Sequence, residues 1–289
     1  MPPSIDPSSL SPYEQEALRG IAVWKRPDQA WWERAAAAVQ RSLDDVGDQL
    51  RRIPGVDWTI DNVVAGLLKV LNEITQDLVW RDAIYRDFQR LGHDDVRDID
   101  AVARLDLRTI DEALDGLSAK YLGLAAVEGT ATGLAGAAGI LPDVVALVAL
   151  NLRAAGEYAT YYGFDISTPE ERLYALSILD AAALPATERH QAEARLNEAH
   201  ENVARTKTTR TINSVVVGGT LGAAARSIAL RLTRSKLLQF MPVAGALLAG
   251  GFNSLYTRTV CDAAFHLYRE RFLNRKYERR VEGEWGESR

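Results

Sequence analysis

Apolar residues recur every three or four positions along most of this chain, and nowhere in sustained alternation, so the pattern predicts helices and no sheet. Tyr13 to Trp24 reads as a first helix between Pro12 and Pro27. A second runs from Trp31-Trp32 through an alanine run to about Arg52, with Asp28 as its cap, and Pro54-Gly55 breaks the chain after it. Asp57 then caps a helix whose stripe is Ile60, Val63, Val64, Leu67, Leu68, Leu71, Ile74 and Leu78. Gly92 marks the next break. Asp94 or Asp95 caps a helix that carries Ile99, Val102, Leu105, Leu107, Ile110, Leu114 and Leu117 on one face.

The pattern then changes. Tyr121 to Ile140 holds a single charge, Glu128, and Val144 to Leu152 is apolar on every face. Gly129, Gly133, Gly136 and Gly139 stand at helical spacing, which lets a neighbouring helix approach closely. A helix that is apolar all round belongs inside a protein or in lipid. The window from Leu134 to Leu152 approaches the roughly 20 residues that a membrane span needs, but Pro142-Asp143 lies in its middle. An aspartate at the centre of such a span costs about 2.5–3.5 kcal/mol. The stretch is therefore read as two helices joined or kinked at Pro142, with Asp143 capping the second.

Gly163 suits the position just past the end of that helix. Ser167 or Thr168 caps the following one, with Pro169 in its first turn and Glu170-Glu171 near its positive end, and Pro185 stops it after Leu184. A polar helix covers Thr187 to about Lys207. Two more uncharged, glycine-bearing stretches, Thr211 to Ala225 and Leu237 to Thr257, flank a basic connector, and Val260 to about Tyr277 closes the fold as an amphipathic helix. The predicted architecture is an all-α multi-helix bundle with a central apolar, Gly/Ala-rich helical hairpin. Residues 1–11 form a lead-in, 12–278 a single helical domain and 279–289 a polar tail.

Composition adds an asymmetry. The 289 residues carry a net charge of −5 and are 47% apolar, an ordinary globular balance. Yet Asn202 to Cys261 contains no acidic residue, while Arg226, Arg231, Arg234 and Lys236 lie between its two uncharged stretches. Acid is concentrated earlier, at Asp94, Asp95, Asp98, Asp100, Asp106, Asp111, Glu112 and Asp115, where it is expected on the solvated face. One cysteine, Cys261, excludes a disulfide framework and reads as a small core residue. The start MPPSIDPSSLSP has no basic segment followed by an apolar one, so a cytoplasmic location is expected.

Patterns for familiar chemistry are missing. The acid run lacks the D-x-D-x-D-G order of a calcium loop, and no phosphate-binding G-x-x-x-x-G-K-[ST], zinc-binding H-E-x-x-H, cysteine pair or G-x-S-x-G nucleophile elbow occurs. The run GLAGAAG lacks the strand context of a dinucleotide fingerprint, and His190 and His200 stand nearly three turns apart, too far for one ion. No cofactor and no metal are expected. Polar groups set inside apolar helix are the candidates that remain: Glu128, Asp143, Arg153, Glu157, Asn253, Arg258 and Asp262. Arg153 with Glu157, and Arg258 with Asp262, have the i,i+4 spacing of helix-surface ion pairs. They read as buried bridges pinning helices or as a polar spot lining a cavity.

The glycines that end in Leu141-Pro142-Asp143, then Leu152-Arg153, Tyr162-Gly163-Phe164-Asp165 and Pro169-Glu170-Glu171-Arg172, resemble the EcsC family of bacterial proteins. Tyr13-Glu14 with Ile21, Trp24 and Lys25 is similar to that family's opening helix. Met241 to Ala246, Asn253 and Ala263 to Tyr268 are similar to its closing segment. The likeness spans about Tyr13 to Phe272. It implies no catalytic residues, because the family has no agreed ones. Its name derives from a gene beside an ABC exporter, which implies a membrane-linked role, with a membrane transporter as a partner.

Three functions fit these features. The first is a membrane-interface protein, or one that binds lipid or an apolar ligand, using Arg226, Arg231, Arg234 and Lys236 against anionic headgroups at the inner face of the cell membrane; each basic residue near such a surface is worth about 1 kcal/mol. The second is a hydrolase with a polar site in an apolar helical cavity. The third is a soluble protein-binding scaffold. Nucleic acid is not an expected partner, because few aromatics interleave with the basic residues and the net charge is negative.

Overall fold

A computed structural model describes residues 10–25, 62–67, 69, 79–133, 140–183, 222–233 and 251–286, with side chains at all of these except 128–133, 140–141 and 278–286. Every regular element among them is helical, so the chain is all-α as its periodicity predicts. Helix α1 spans Pro12–Lys25, α2 Arg81–Arg90, α3 Ile99–Val102, α4 Leu107–Ala113, α5 Leu117–Gly133, α6 Ile140–Tyr161, α7 Pro169–Ala182 and α8 Phe252–Gly286. Residues 62–67 and 222–233 are also helical.

Local signals set most boundaries. At the start of α1 the Glu14 N–H donates to Ser11 Oγ (3.3 Å) and the Ser11 N–H donates to Glu14 Oε2 (2.9 Å), a capping box with Pro12 at the first helical position. At the start of α7 the Glu171 N–H donates to Thr168 Oγ1 (3.3 Å), again with proline next in the chain. Helix α6 ends in a Schellman motif: the Phe164 N–H donates to Ala159 O (2.8 Å) and the Gly163 N–H to Thr160 O (3.0 Å). Gly163 has φ +73, and a Cβ there would lie 3.0 Å from the backbone of Ala103, so both conformation and space select glycine.

Four expectations need correction. Asp98, not Asp94 or Asp95, caps the helix after Gly92, accepting from the Ala101 N–H (2.7 Å). The single helix expected over Ile99 to Leu117 is two short ones, α3 and α4, divided by a turn at residues 103–106, and Gly116 (φ +79) separates α4 from α5. Asp143 does not cap a second helix. Helix α6 begins at Ile140 and runs through Pro142, which its first turn tolerates because that N–H has no helical partner there. The final helix is much longer than Val260 to Tyr277. Helix α2, with Ile84, Tyr85 and Phe88 buried, is an element that the sequence pattern did not show. The helices read at Trp31 to Arg52 and Thr187 to Lys207, and the stretch Leu237 to Gly250, lie outside the described residues.

Helix α8 is the axis of the fold. It packs against α5, α6, α7 and α1, while α5 and α7 each also pack against α6. The buried aromatic core lies along it, with Tyr268 and Phe272 meeting Tyr162, Phe164 and Tyr174. Toward the start of α6 the core becomes small and aliphatic: Val144, Leu147 and Val148, with Val63 and Leu67 buried on the 62–67 segment. Gly66 of that segment faces Val145, where a Cβ would come within 2.8 Å of a methyl group.

Candidate functional site

Helices α6 and α8 run parallel. Near their starts, Asn253 Nδ2 donates to Asp143 Oδ1 (3.2 Å), with both residues buried. One to two turns further, Asn151 Nδ2 donates to Thr257 Oγ1 (3.1 Å) and to Leu147 O (2.8 Å). Helix α5 is antiparallel to both. Its Lys120 donates to Glu157 Oε2 (2.7 Å), late in α6, where Arg153 Nε lies 3.4 Å from Glu157 Oε1. The buried Cys261 thiol sits between α5 and α6, facing Ser118 and Tyr158. Burial, then the nearby Asp262 charge, pushes it up to about 12, so it is an inert core thiol.

These contacts sort the sequence candidates. Asp143 and Asn253 are brought together, and Arg153 and Glu157 pair as their spacing predicts, joined by Lys120 and with the Arg153 guanidinium 5.4 Å from the Trp80 ring centre. Arg258 and Asp262 are not buried. The buried stripe of α8 carries Asn253, Tyr256, Thr257, Val260, Cys261 and Ala264, which turns residues 258 and 262 outward. The side chain of Glu128, and all of Arg234 and Lys236, lie outside what is described. Arg226 is exposed, and Arg231 is half-buried with its Nε 3.3 Å from Asp180 Oδ1.

The most heavily connected polar groups are ones that the sequence analysis set aside. Asp111, read as a solvated acid, has a side chain only 10% exposed. It accepts from the Tyr162 hydroxyl (2.8 Å), the Tyr13 hydroxyl (2.8 Å) and Arg269 Nη2 (2.5 Å). Burial, and then the Asp111 charge, hold the Tyr162 hydroxyl far above the ordinary tyrosine range, so it remains a donor. Glu171 is clamped bidentately by Arg271 at 2.7 and 2.8 Å, and that guanidinium lies 4.0 Å from the Tyr174 ring centre and 4.2 Å from that of Phe164. Glu14 takes Lys276 Nζ (2.9 Å) and the Tyr277 hydroxyl (2.8 Å). Burial alone would raise the Glu14 carboxyl, but Lys276, Ser11 and Tyr277 outweigh it and bring it down to about 2. Arg275 donates to the carbonyls of Tyr162 and Gly163 (2.6 Å each), satisfying acceptors at the buried C-terminal end of α6.

The molecule therefore has two unlike ends. One gathers α1, α4, the end of α6, the start of α7 and the second half of α8, and its charges are paired across elements. The other holds the end of α5, the starts of α6 and α8, and the end of α7, where the Tyr256 hydroxyl donates to Leu179 O (3.0 Å). The 222–233 segment is tied to this second end through Ser227 Oγ and Arg231, which both meet Asp180. Its exposed residues include Leu124, Val127 and Leu255, together with Arg226 and Arg258.

An open groove of about 420 Å3 lies between α2, α4 and α5, lined among others by Asp87, Glu112, Asp115, Lys120 and Tyr161. Its charges are of both signs, and Asp87 already accepts from the Tyr161 hydroxyl (2.6 Å). Among the described residues, no group of His, Cys, Asp and Glu side chains is arranged to hold a metal ion, and no helix is long and apolar enough to cross a membrane.

An all-α bundle wrapped on one long C-terminal helix, with ion pairs between elements at one end and mostly apolar helix at the other, is the class of protein that this geometry defines. The chain belongs to the EcsC protein family, whose profile matches residues 15–273. It is similar to the uncharacterized protein YdbA of Bacillus subtilis (strain 168), with 22% identity over 267 residues that cover 89% of this chain and 91% of that protein. No solved structure matches it.

Proposed function

We propose that the protein is a peripheral membrane-interface protein that binds anionic lipid surfaces from the cytoplasmic side through its acid-free basic segment. One observation carries the reading. The 222–233 segment, with Arg226 exposed, is anchored through Ser227 and Arg231 to Asp180 at the same end as the apolar parts of α5, α6 and α8. An exposed arginine on an acid-free segment next to apolar helix matches the layered chemistry of a membrane surface, where headgroup charge overlies hydrocarbon.

The hydrolase reading needed carboxylates open to a cavity. Glu157 is instead held by Lys120 and Arg153, Asp143 is buried against Asn253, and Asp262 faces outward. These positions give it no support.

The test is co-sedimentation with vesicles of phosphatidylcholine alone and of phosphatidylcholine mixed with phosphatidylglycerol. Binding is expected only to the anionic vesicles, weakening as salt rises because exposed charge is screened. Arg226→Ala is expected to lower the partition about fivefold, the equivalent of about 1 kcal/mol. Equal, weak sedimentation with both vesicle types overturns the proposal.

A further inference from the structure

Between α6 and α8 the buried polar groups differ in kind from the ion pairs at the charged end. Asp143 meets Asn253 through a bond of 3.2 Å. One turn after Asn253 on α8, Thr257 Oγ1 accepts from Asn151 Nδ2 (3.1 Å). These four side chains make a polar seam where α6 otherwise buries Val144, Leu147 and Val148, and α8 buries Val260 and Cys261. Both Asn151 and Thr257 are fully buried. The seam is only partly satisfied, because Asn151 Oδ1 has no hydrogen-bond partner among the described residues. A buried acceptor without a donor has given up water for nothing, so a half-paired network holds two helices less firmly than apolar packing would. The far halves of the same helices are held otherwise. There Tyr162 and Phe164 pack on Tyr268 and Phe272, Arg275 closes on the Tyr162 and Gly163 carbonyls, and Arg269 and Arg271 hold carboxylates of α4 and α7. Tyr268 Oη and Arg269 Nε are also unpaired there, but Arg269 is held through Nη2 on Asp111, and Tyr268 by the rings of Phe164 and Tyr174.

We infer that α6 and α8 part along this seam in the native protein, residues 143–152 and 253–260 opening together as one unit while the aromatic, ion-paired halves stay packed. Opening lets water reach Asn151 Oδ1 and the Asp143–Asn253 pair, which recovers the hydration that these groups lack when the helices are closed. An apolar seam has no such compensation, because parting it only exposes hydrocarbon. Units of a fold that open below the global transition are those whose contacts are weakest, and here the weak contacts of two helices coincide along one line. The inference concerns the free protein and does not depend on membrane contact.

The experiment is amide hydrogen exchange on the full chain without lipid, repeated across low urea concentrations. Amides of residues 147–152 and 257–260 are expected to exchange about tenfold or more faster than those of 158–162 and 266–272. Both opening segments should share one urea slope, smaller than that of global unfolding. Equal protection of the two halves overturns the inference. Different slopes for the two segments also overturn it, because they would mean that each helix start frays alone. Two variants test the seam itself. Thr257→Val keeps the volume, removes the acceptor of Asn151 and adds a second unpaired group, so exchange in both segments is expected to rise about tenfold. Asn151→Leu with Thr257→Val makes the seam aliphatic, and is expected to raise the urea midpoint by about 0.5 M and to bring both segments toward the protection of 266–272. Exchange that neither variant alters overturns the inference. A double variant that folds with a lowered midpoint and faster exchange overturns it too, since the seam would then be what keeps the helices closed.

Discussion

The two ends of the bundle are built from the same few helices and solve opposite problems. At the charged end, carboxylates from α1, α4 and α7 are each met by a cation from α8: Glu14 by Lys276, Asp111 by Arg269 and Glu171 by Arg271. At the other end the helices meet through Asn253 with Asp143 and Asn151 with Thr257, and what faces outward includes Leu124, Val127 and Leu255. Buried ion pairs add little net stability over apolar packing, but they are costly to leave half-made, so they fix which helix sits where. Small apolar contacts leave a surface free to meet something else. The first end specifies the fold, and the second is the end to which the proposed membrane contact is assigned.

This division makes graded predictions. The largest effect is expected from Asp111→Ala, which leaves Arg269 and two tyrosine hydroxyls without their acceptor. A loss of about 3–5 kcal/mol is expected in urea unfolding, and a loss below about 1 kcal/mol would show that the charged end does not hold the fold. Gly163→Ala comes next, at about 2 kcal/mol, because alanine is strained at φ +73 and its methyl group meets the Ala103 backbone. Thermal melting of that variant measures it.

A pH effect follows from Glu14. Its carboxyl is at about 2 in the folded chain against 4.5 as an ordinary glutamate, so its contribution is complete above pH 4.5 and is lost as the pH falls toward 2. About 1–2 kcal/mol is expected to disappear across that window, less than the full shift implies because Lys276 is partly open to water. Glu14→Gln should flatten this part of the curve. The smallest effect is expected from Leu255→Asn, within about 0.5 kcal/mol of the parent, since an exposed side chain contributes little to folding. A large loss there would mean that the outer face is structural.

What the sequence disclosed was what short-range chemistry determines. Thr168-Pro169 and Tyr162-Gly163 announce a helix start and a helix stop because a cap or a left-handed turn is settled within a few residues. Arg153 with Glu157 was legible for the same reason. Asp111 was not. It stands in an acidic run, and its partners Tyr13 and Arg269 are 98 and 158 residues away, so no local pattern separates it from the solvated Glu112 and Asp115 beside it. The break between α3 and α4 was hidden because Leu105 and Leu107 continue the helical spacing across the turn. Arg258 and Asp262 were misplaced because an uncharged stretch reads as buried on all sides, whereas α8 has an outward face there.

The Arg275 clamp has a consequence for the order in which this protein can be made. The carbonyls it closes, at Tyr162 and Gly163, are more than a hundred residues upstream. Every cross-element ion pair named above at the charged end likewise waits for the last helix. A chain emerging from the ribosome therefore presents α5 and α6, its most apolar helices, long before the helix that covers them exists, and loop closure over such separations is slow. Apolar helices left uncovered for that long are the part of the chain most exposed to aggregation during synthesis.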